Sequence, residues 1–105
     1  MTSPMLRYGF SQGRIGADSE SLAHELMAER AAALGRAGQA VETALARLRD
    51  ADAADPADRA HLLKAAAEAV WAFFVQREVC GFRDQRGVIA EYRIPKAVLA
   101  RLGAR

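Results

Sequence analysis

Apolar residues recur at steps of three and four over two long stretches of the chain, which is the spacing of one face of an α-helix. The first stretch covers Leu22–Leu48 and follows Asp18, a good N-cap residue. The second begins at Asp55-Pro56, where a capping aspartate precedes a proline at the first helical position, and ends near Gly81. These patterns predict two long helices.

Two shorter helical segments follow. One lies between Asp84 and Tyr92, and the other comes after Arg93-Ile94-Pro95 and ends at Gly103. The second long helix becomes apolar on nearly every face around Val75 and Val79, so we expect the short helices to cover its C-terminal half. No stretch alternates polar and apolar residues as a strand would. The predicted fold is all-α: a long antiparallel helical hairpin closed by two short C-terminal helices, forming a small helical bundle.

The first residues of the chain lack this periodicity. Gly9, Gly13 and Gly16 fall close together there, and glycine at that density disfavours regular structure. We therefore expect residues 1–17 to be a flexible N-terminal arm. Residues 18–105 are predicted to be a single helical domain, as suits a chain of 105 residues.

Four of the seven aromatic residues fall within Val70–Phe82, and rings dominate the burial energetics of a small domain. We expect the core to be built there. The hairpin places two glycines of the first helix opposite this stretch. Our hypothesis is that Gly38, and less surely Gly35, make room for the rings of Trp71 and Phe74. The alternative is that these glycines simply kink the helix.

Arg30 lies near the centre of the apolar stripe of the first helix. The same hairpin places it opposite Glu78, and an unpaired charge in a partly buried position would be costly. A partly buried Arg30–Glu78 ion pair is one expectation. The other is that the Arg30 side chain extends past the stripe into solvent.

Charge and cysteine content narrow the function classes. A net charge of +2 produces no general attraction to nucleic acid or anionic membranes. No run of about 18 apolar residues exists to span a membrane. The single cysteine, Cys80, excludes an intrachain disulfide. We expect a cytoplasmic protein with no membrane partner.

Few residues offer catalytic or metal-binding chemistry. His24-Glu25 lacks the second histidine of a zinc-protease helix, and His61 falls on the predicted solvent face. Cys80 lies at a helix C-terminus, where the helix dipole disfavours a thiolate. We predict no catalytic residues, no metal site, no cofactor and no enzymatic activity.

Residues 84–102 resemble a helix-turn-helix, which makes DNA binding the alternative function. From Arg77 onward the chain holds seven basic and three acidic residues, a net charge of +4. The candidate interaction surface is basic and consists of Arg83, Arg86, Arg93, Lys96 and Arg101. Against DNA binding, Arg93 replaces the usual turn glycine, and the exposed positions lack the Asn, Gln and Ser residues that commonly read bases.

The run Val70 through Leu102, with Trp-Ala-Phe-Phe-Val-Gln-Arg-Glu-x-Cys-Gly and Tyr-x-Ile-Pro-x-x-Val-Leu-Ala-Arg, resembles a small family of uncharacterised helical proteins from alphaproteobacteria. The resemblance covers residues 20–103. It implies a compact α-helical domain in a bacterial cytoplasm and supplies no activity and no functional residues.

The leading functional prediction is a non-catalytic protein-interaction or structural module with an unknown protein partner. A homodimer is a further hypothesis, because the alanine-rich stripe of the first helix extends beyond what two short helices can cover.

Overall fold

A computed structural model describes residues 12–51 and 55–103, with side-chain positions from residue 18 onward. Its helices are α1 (Gln12–Asp50), α2 (Pro56–Val79), α3 (Arg86–Tyr92) and α4 (Lys96–Leu99). The described residues contain no strand, which confirms the all-α class. The antiparallel arrangement of the two long helices as a hairpin stays a prediction.

Helix α1 begins ahead of the predicted N-cap at Asp18 and crosses the predicted boundary between arm and domain. Extending a formed helix by a few residues costs far less than nucleating one, so Gly13 and Gly16 do not stop it. The rest of the predicted arm, residues 1–11, lies outside the described residues. Helix α1 also continues through Gly35 and Gly38 without a break.

Helix α2 begins and ends as its sequence predicts. The Asp55 side chain accepts a hydrogen bond from the Ala57 N–H at 2.9 Å, and Pro56 occupies the first helical position. At the other end Gly81 adopts a φ of +95°, where a side chain would be strained. The Phe82 N–H bonds to the Arg77 carbonyl at 2.8 Å, and the Gly81 N–H bonds to the Glu78 carbonyl at 3.0 Å. These two bonds form a Schellman motif that ends the helix.

The turn between α3 and α4 repeats this motif without a glycine. The Ile94 N–H bonds to the Ile89 carbonyl at 3.0 Å, and the Arg93 N–H bonds to the Ala90 carbonyl at 3.2 Å. Arg93 itself has the left-handed φ of 54° that the motif requires. Since Pro95 lacks an N–H and cannot continue a helix, it fixes the start of α4.

Residue contacts divide the chain into two units, with the boundary inside α1 between Ala31 and Ala32. In the first unit, all described side chains are exposed, including the large apolar residues Leu22, Leu26 and Met27. The second unit holds a buried core to which all four helices contribute. Its members are Val41, Leu45, Leu48, Leu63, Ala66, Ala67, Val70, Phe73, Val88, Ile94 and Val98.

Gly38 is a point of close approach, but to different rings from those predicted. A Cβ added at Gly38 would lie 2.8 Å from the Tyr92 hydroxyl oxygen and 3.4 Å from Cε1 of Phe73. The Phe73 and Tyr92 rings pack together with centroids 5.2 Å apart. Phe74 is half-buried against the core. The prediction that Gly38 accommodates Trp71 and Phe74 is therefore wrong in its partners, and a Cβ at Gly35 would meet nothing within 4 Å.

The prediction that the two short helices cover the C-terminal half of α2 is also wrong. Trp71 is 50% exposed, and Val75 and Val79 are 45% and 54% exposed. The short C-terminal helices contribute Val88 and Val98 to the core on the side of Phe73. Helices of seven and four residues are too small to cover a second face of α2 as well.

Candidate functional site

An exposed apolar ridge follows the outer face of α2. Val75 and Val79 are one helical turn apart, and Phe82 follows just beyond the helix, with half of its ring exposed. Trp71 lies one turn before Val75 on the same face. Trp71, Val75 and Val79 are each about half exposed and together present roughly 250–300 Å² of apolar surface. We call Val75 and Val79 the ridge. The half-exposed Phe82 packs on Arg77 instead, on another side of the helix end.

A groove lies beside Trp71 on the N-terminal half of the same face. Its volume is about 660 Å³, and its lining includes the small residues Ala57 and Ala60, together with Lys64. Arg101 and Gly103, which follow α4, line it from the other side. A Cβ added at Gly103 would lie 3.9 Å from Cζ3 of Trp71, so the indole stands at the boundary of the groove.

Arg77 contacts two aromatic rings and two residues of the loop that follows α2. Its guanidinium carbon lies 5.2 Å from the centroid of the Phe82 ring and 5.9 Å from that of Phe73. Its Nε donates to Oε1 of Gln85 at 2.7 Å, and its Nη2 donates to the Asp84 carbonyl at 3.1 Å. Sequence reasoning missed this residue. A signal was present in the sequence. Arg77 and Phe82 occupy the two positions joined by the outer hydrogen bond of the Schellman motif, and side chains at these positions commonly contact each other.

The five predicted basic residues are all exposed: Arg83, Arg86, Arg93, Lys96 and Arg101. Two of them border different clefts. Arg101 borders the groove beside Trp71, whereas Arg93 borders a separate cleft with Glu42 and Glu91.

Arg86 is committed to a local ion pair. Its Nη2 lies 3.0 Å from Oδ2 of Asp84, and both its Nε and its backbone N–H donate to Oδ1 of that residue. These contacts lower the pKa of the Asp84 carboxyl and raise the pKa of Arg86. The Asp84 side chain thereby accepts the backbone N–H of Arg86, the first residue of α3, although Gln85 is the N-cap residue.

Tyr92 is the other titratable group with a shifted pKa. Burial raises the pKa of its hydroxyl, and the nearby carboxylates of Glu42 and Glu91 raise it further. The hydroxyl therefore stays protonated at neutral pH. It offers no base for catalysis.

Arg30 and Glu78 are both exposed. The burial that would have required a partner for Arg30 is not found, and the pairing of these two residues stays a prediction. Glu78 instead lies on the outer face of α2, between Val75 and Val79 in sequence. Glu78 therefore adds a negative charge to the outer face of α2.

The family assignment rests on nearly the whole chain. A model described as a family of unknown function (DUF6665) matches residues 10–105. The chain belongs to DUF6665. This finding agrees with the expected uncharacterised family, and it assigns no activity to any residue. No curated protein and no solved structure matches this DUF6665 chain.

Two further properties of the DUF6665 chain concern its described residues. None of the helices there combines the length and the apolar character that crossing a membrane requires. Within the same residues, no group of three or more His, Cys, Asp and Glu side chains is placed to hold a metal ion. Cys80 carries a partly buried thiol at the end of α2.

Proposed function

We propose that this protein is a non-catalytic interaction module of a bacterial cytoplasm, and that the outer face of α2 is its docking surface. The exposure of the ridge carries the proposal. Val75 and Val79 are about half exposed, and Trp71 on the same face keeps about half of its surface in water. Exposed apolar side chains grouped on one helix face commonly mark sites of protein association.

The composition of the face supports a protein partner. Half-exposed aromatic residues are enriched where binding energy concentrates, and tryptophan leads that group. Glu68 and Lys64 flank the apolar residues, as polar residues flank the core of a typical interface. The first unit adds a separate exposed apolar set, Leu22, Leu26 and Met27.

The shifted titratable groups support a non-catalytic role. Asp84 and Arg86 satisfy each other at the surface, and Tyr92 is held protonated. None of the three lines the groove beside Trp71, whose titratable lining includes His61, Lys64 and Glu68. A general acid or base must lie in the cleft that binds substrate, so the three shifted groups do not serve there.

Site-specific photocrosslinking in the host bacterium tests the docking surface. A benzophenone amino acid at Val75 should form crosslinks to protein, because this position lies on the ridge. The same group at the exposed Glu91 on α3 is the matched control. Equal crosslinking from both positions, or none from Val75, would contradict the proposal.

DNA binding is the second candidate, favoured by the exposure of the five basic residues and by the α3–turn–α4 arrangement. Helix α4 is only four residues long, and its Val98 is fully buried. A recognition helix must instead offer side chains to a groove of the duplex. Binding to duplex DNA that weakens with salt, and is lost in Lys96→Ala/Arg101→Ala, would support this candidate over protein docking.

A further inference from the structure

We infer that the outer face of α2 binds the same face of a second copy, antiparallel, around a two-fold axis at Trp71. This inference rests on the proposed function, since it names the partner of that docking surface. The face is suited to self-association because its two halves differ. A groove with small residues precedes Trp71, and the ridge of Val75 and Val79 follows it.

A two-fold axis at Trp71 brings the ridge of each copy onto the groove of the other. Antiparallel pairing matches positions that lie equally far from the axis in sequence. Val75 of the partner subunit then meets Ala67, so a larger side chain faces a small one in the groove. Every such contact occurs twice, as it must in a two-fold interface.

The same pairing is complementary in charge. Lys64 and Glu78 each lie roughly 10 Å from Trp71 along the helix axis, in opposite directions. Lys64 therefore faces Glu78 of the partner subunit, and the reciprocal pair forms on the other side of the axis. Both side chains are exposed in the single chain. A parallel pairing would instead set Lys64 against lysine and Glu78 against glutamate.

The available area indicates a weak dimer. A stable interface buries roughly 800 Å² on each partner, and the ridge with Trp71 supplies about a third of that. The groove walls make up part of the remainder. We expect dissociation in the micromolar range, within reach of sedimentation velocity and light scattering.

A charge swap on the full-length chain tests the pairing. Lys64→Glu and Glu78→Lys should each weaken the dimer at least about tenfold, because either change introduces two like-charge contacts per dimer. The double variant Lys64→Glu/Glu78→Lys should restore it. Within one chain the two positions are roughly 21 Å apart along α2, so they cannot restore each other there.

Three measurements complete the test. Glu91→Lys is the matched control, a charge reversal outside the face that should leave the dimer unchanged. Trp71 is the single tryptophan, so its emission should shift to the blue as the dimer forms. Leu26→Ser tests the exposed face of α1 and should not affect the dimer. Circular dichroism verifies that each variant is folded.

Several outcomes would overturn the inference. One is a monomer at every concentration up to high micromolar. Another is a dimer that Leu26→Ser abolishes and the charge variants leave intact, or a double variant as weak as the single ones. A monomer whose Val75 still crosslinks to another protein would reject the self-pairing and leave the proposed function standing. A monomer without crosslinks would reject both.

Discussion

The two faces of α2 divide its hydrophobic residues in an unexpected way. The buried face carries Leu63, Val70 and Phe73 with small alanines between them. The exposed face carries the only tryptophan of the chain and two valines. The buried face is also the more continuously apolar one, because Lys64, Glu68 and Glu78 interrupt the exposed face. The other helices supply residues that complement the buried face, such as Gly38 beside Phe73.

The test with the largest expected effect on stability substitutes one aromatic residue on each face of α2. Phe73→Ala should destabilise the protein by about 3–5 kcal/mol, because it opens a cavity in the core. Trp71→Ala should cost less than about 1 kcal/mol in the monomer, because half of the indole is already in water. Urea unfolding followed by circular dichroism at low protein concentration gives both values.

If Phe73→Ala fails to fold, Phe73→Leu replaces it as the measurable variant. It should cost more than Trp71→Leu, the matched change on the outer face. Equal losses for the two positions would show that Trp71 belongs to the core after all.

The second test concerns Gly38 of α1, which lies close to Phe73 on the buried face of α2. Gly38→Leu should cost about 1–3 kcal/mol by overpacking, since even a Cβ there would lie 2.8 Å from the Tyr92 hydroxyl. Gly35→Ala is the matched control in the same helix. It should instead stabilise the protein by about 1 kcal/mol, because it meets open space and alanine favours the helix.

A double-mutant cycle identifies the obstructing atom. Tyr92→Phe removes the hydroxyl that blocks a side chain at position 38. Gly38→Ala should therefore cost less in the Tyr92→Phe background than in the wild type, as thermal unfolding would show. Additive effects would mean that the close approach is not what constrains Gly38.

Local signals in the sequence predicted much of this fold. Asp55-Pro56 and Gly81 marked the ends of α2 because capping and left-handed glycine act within a single turn. Periodicity indicated the solvent face of the N-terminal half of α2, which carries His61, Lys64 and Glu68. It did not distinguish the faces of the C-terminal half, because Val75 and Val79 make the solvent side apolar as well. The ridge was accordingly mistaken for core. The basic residues from Arg83 to Arg101 were correctly expected at the surface, whereas the placement of Arg93 and Arg101 beside different clefts depends on tertiary packing.

The third test concerns Arg77, which contacts a buried ring and a half-exposed one: Phe73 in the core and Phe82 beyond the end of α2. Arg77→Met keeps an apolar stem but loses the hydrogen bonds to Gln85 and Asp84. We expect a loss of about 1–2 kcal/mol in urea unfolding. Arg77→Lys should recover little of it, because an ammonium cannot reproduce the planar fork. Full recovery with lysine would show that charge alone matters here.

The smallest effect is expected at the Asp84–Arg86 pair, which lies beyond the ridge and is fully exposed to solvent. Asp84→Asn keeps an oxygen to accept the Arg86 N–H and removes only the charge. Since contact with Arg86 lowers the pKa of Asp84 in the folded state, the stabilisation is present above the pKa of the unfolded chain and is lost as the pH falls through the folded value. The thermal midpoints of wild type and Asp84→Asn should therefore differ slightly at neutral pH and converge in acid. Salt should shrink the neutral-pH difference as well, because both charges are screened. A difference that persists in acid would show that the carboxylate charge is not its source.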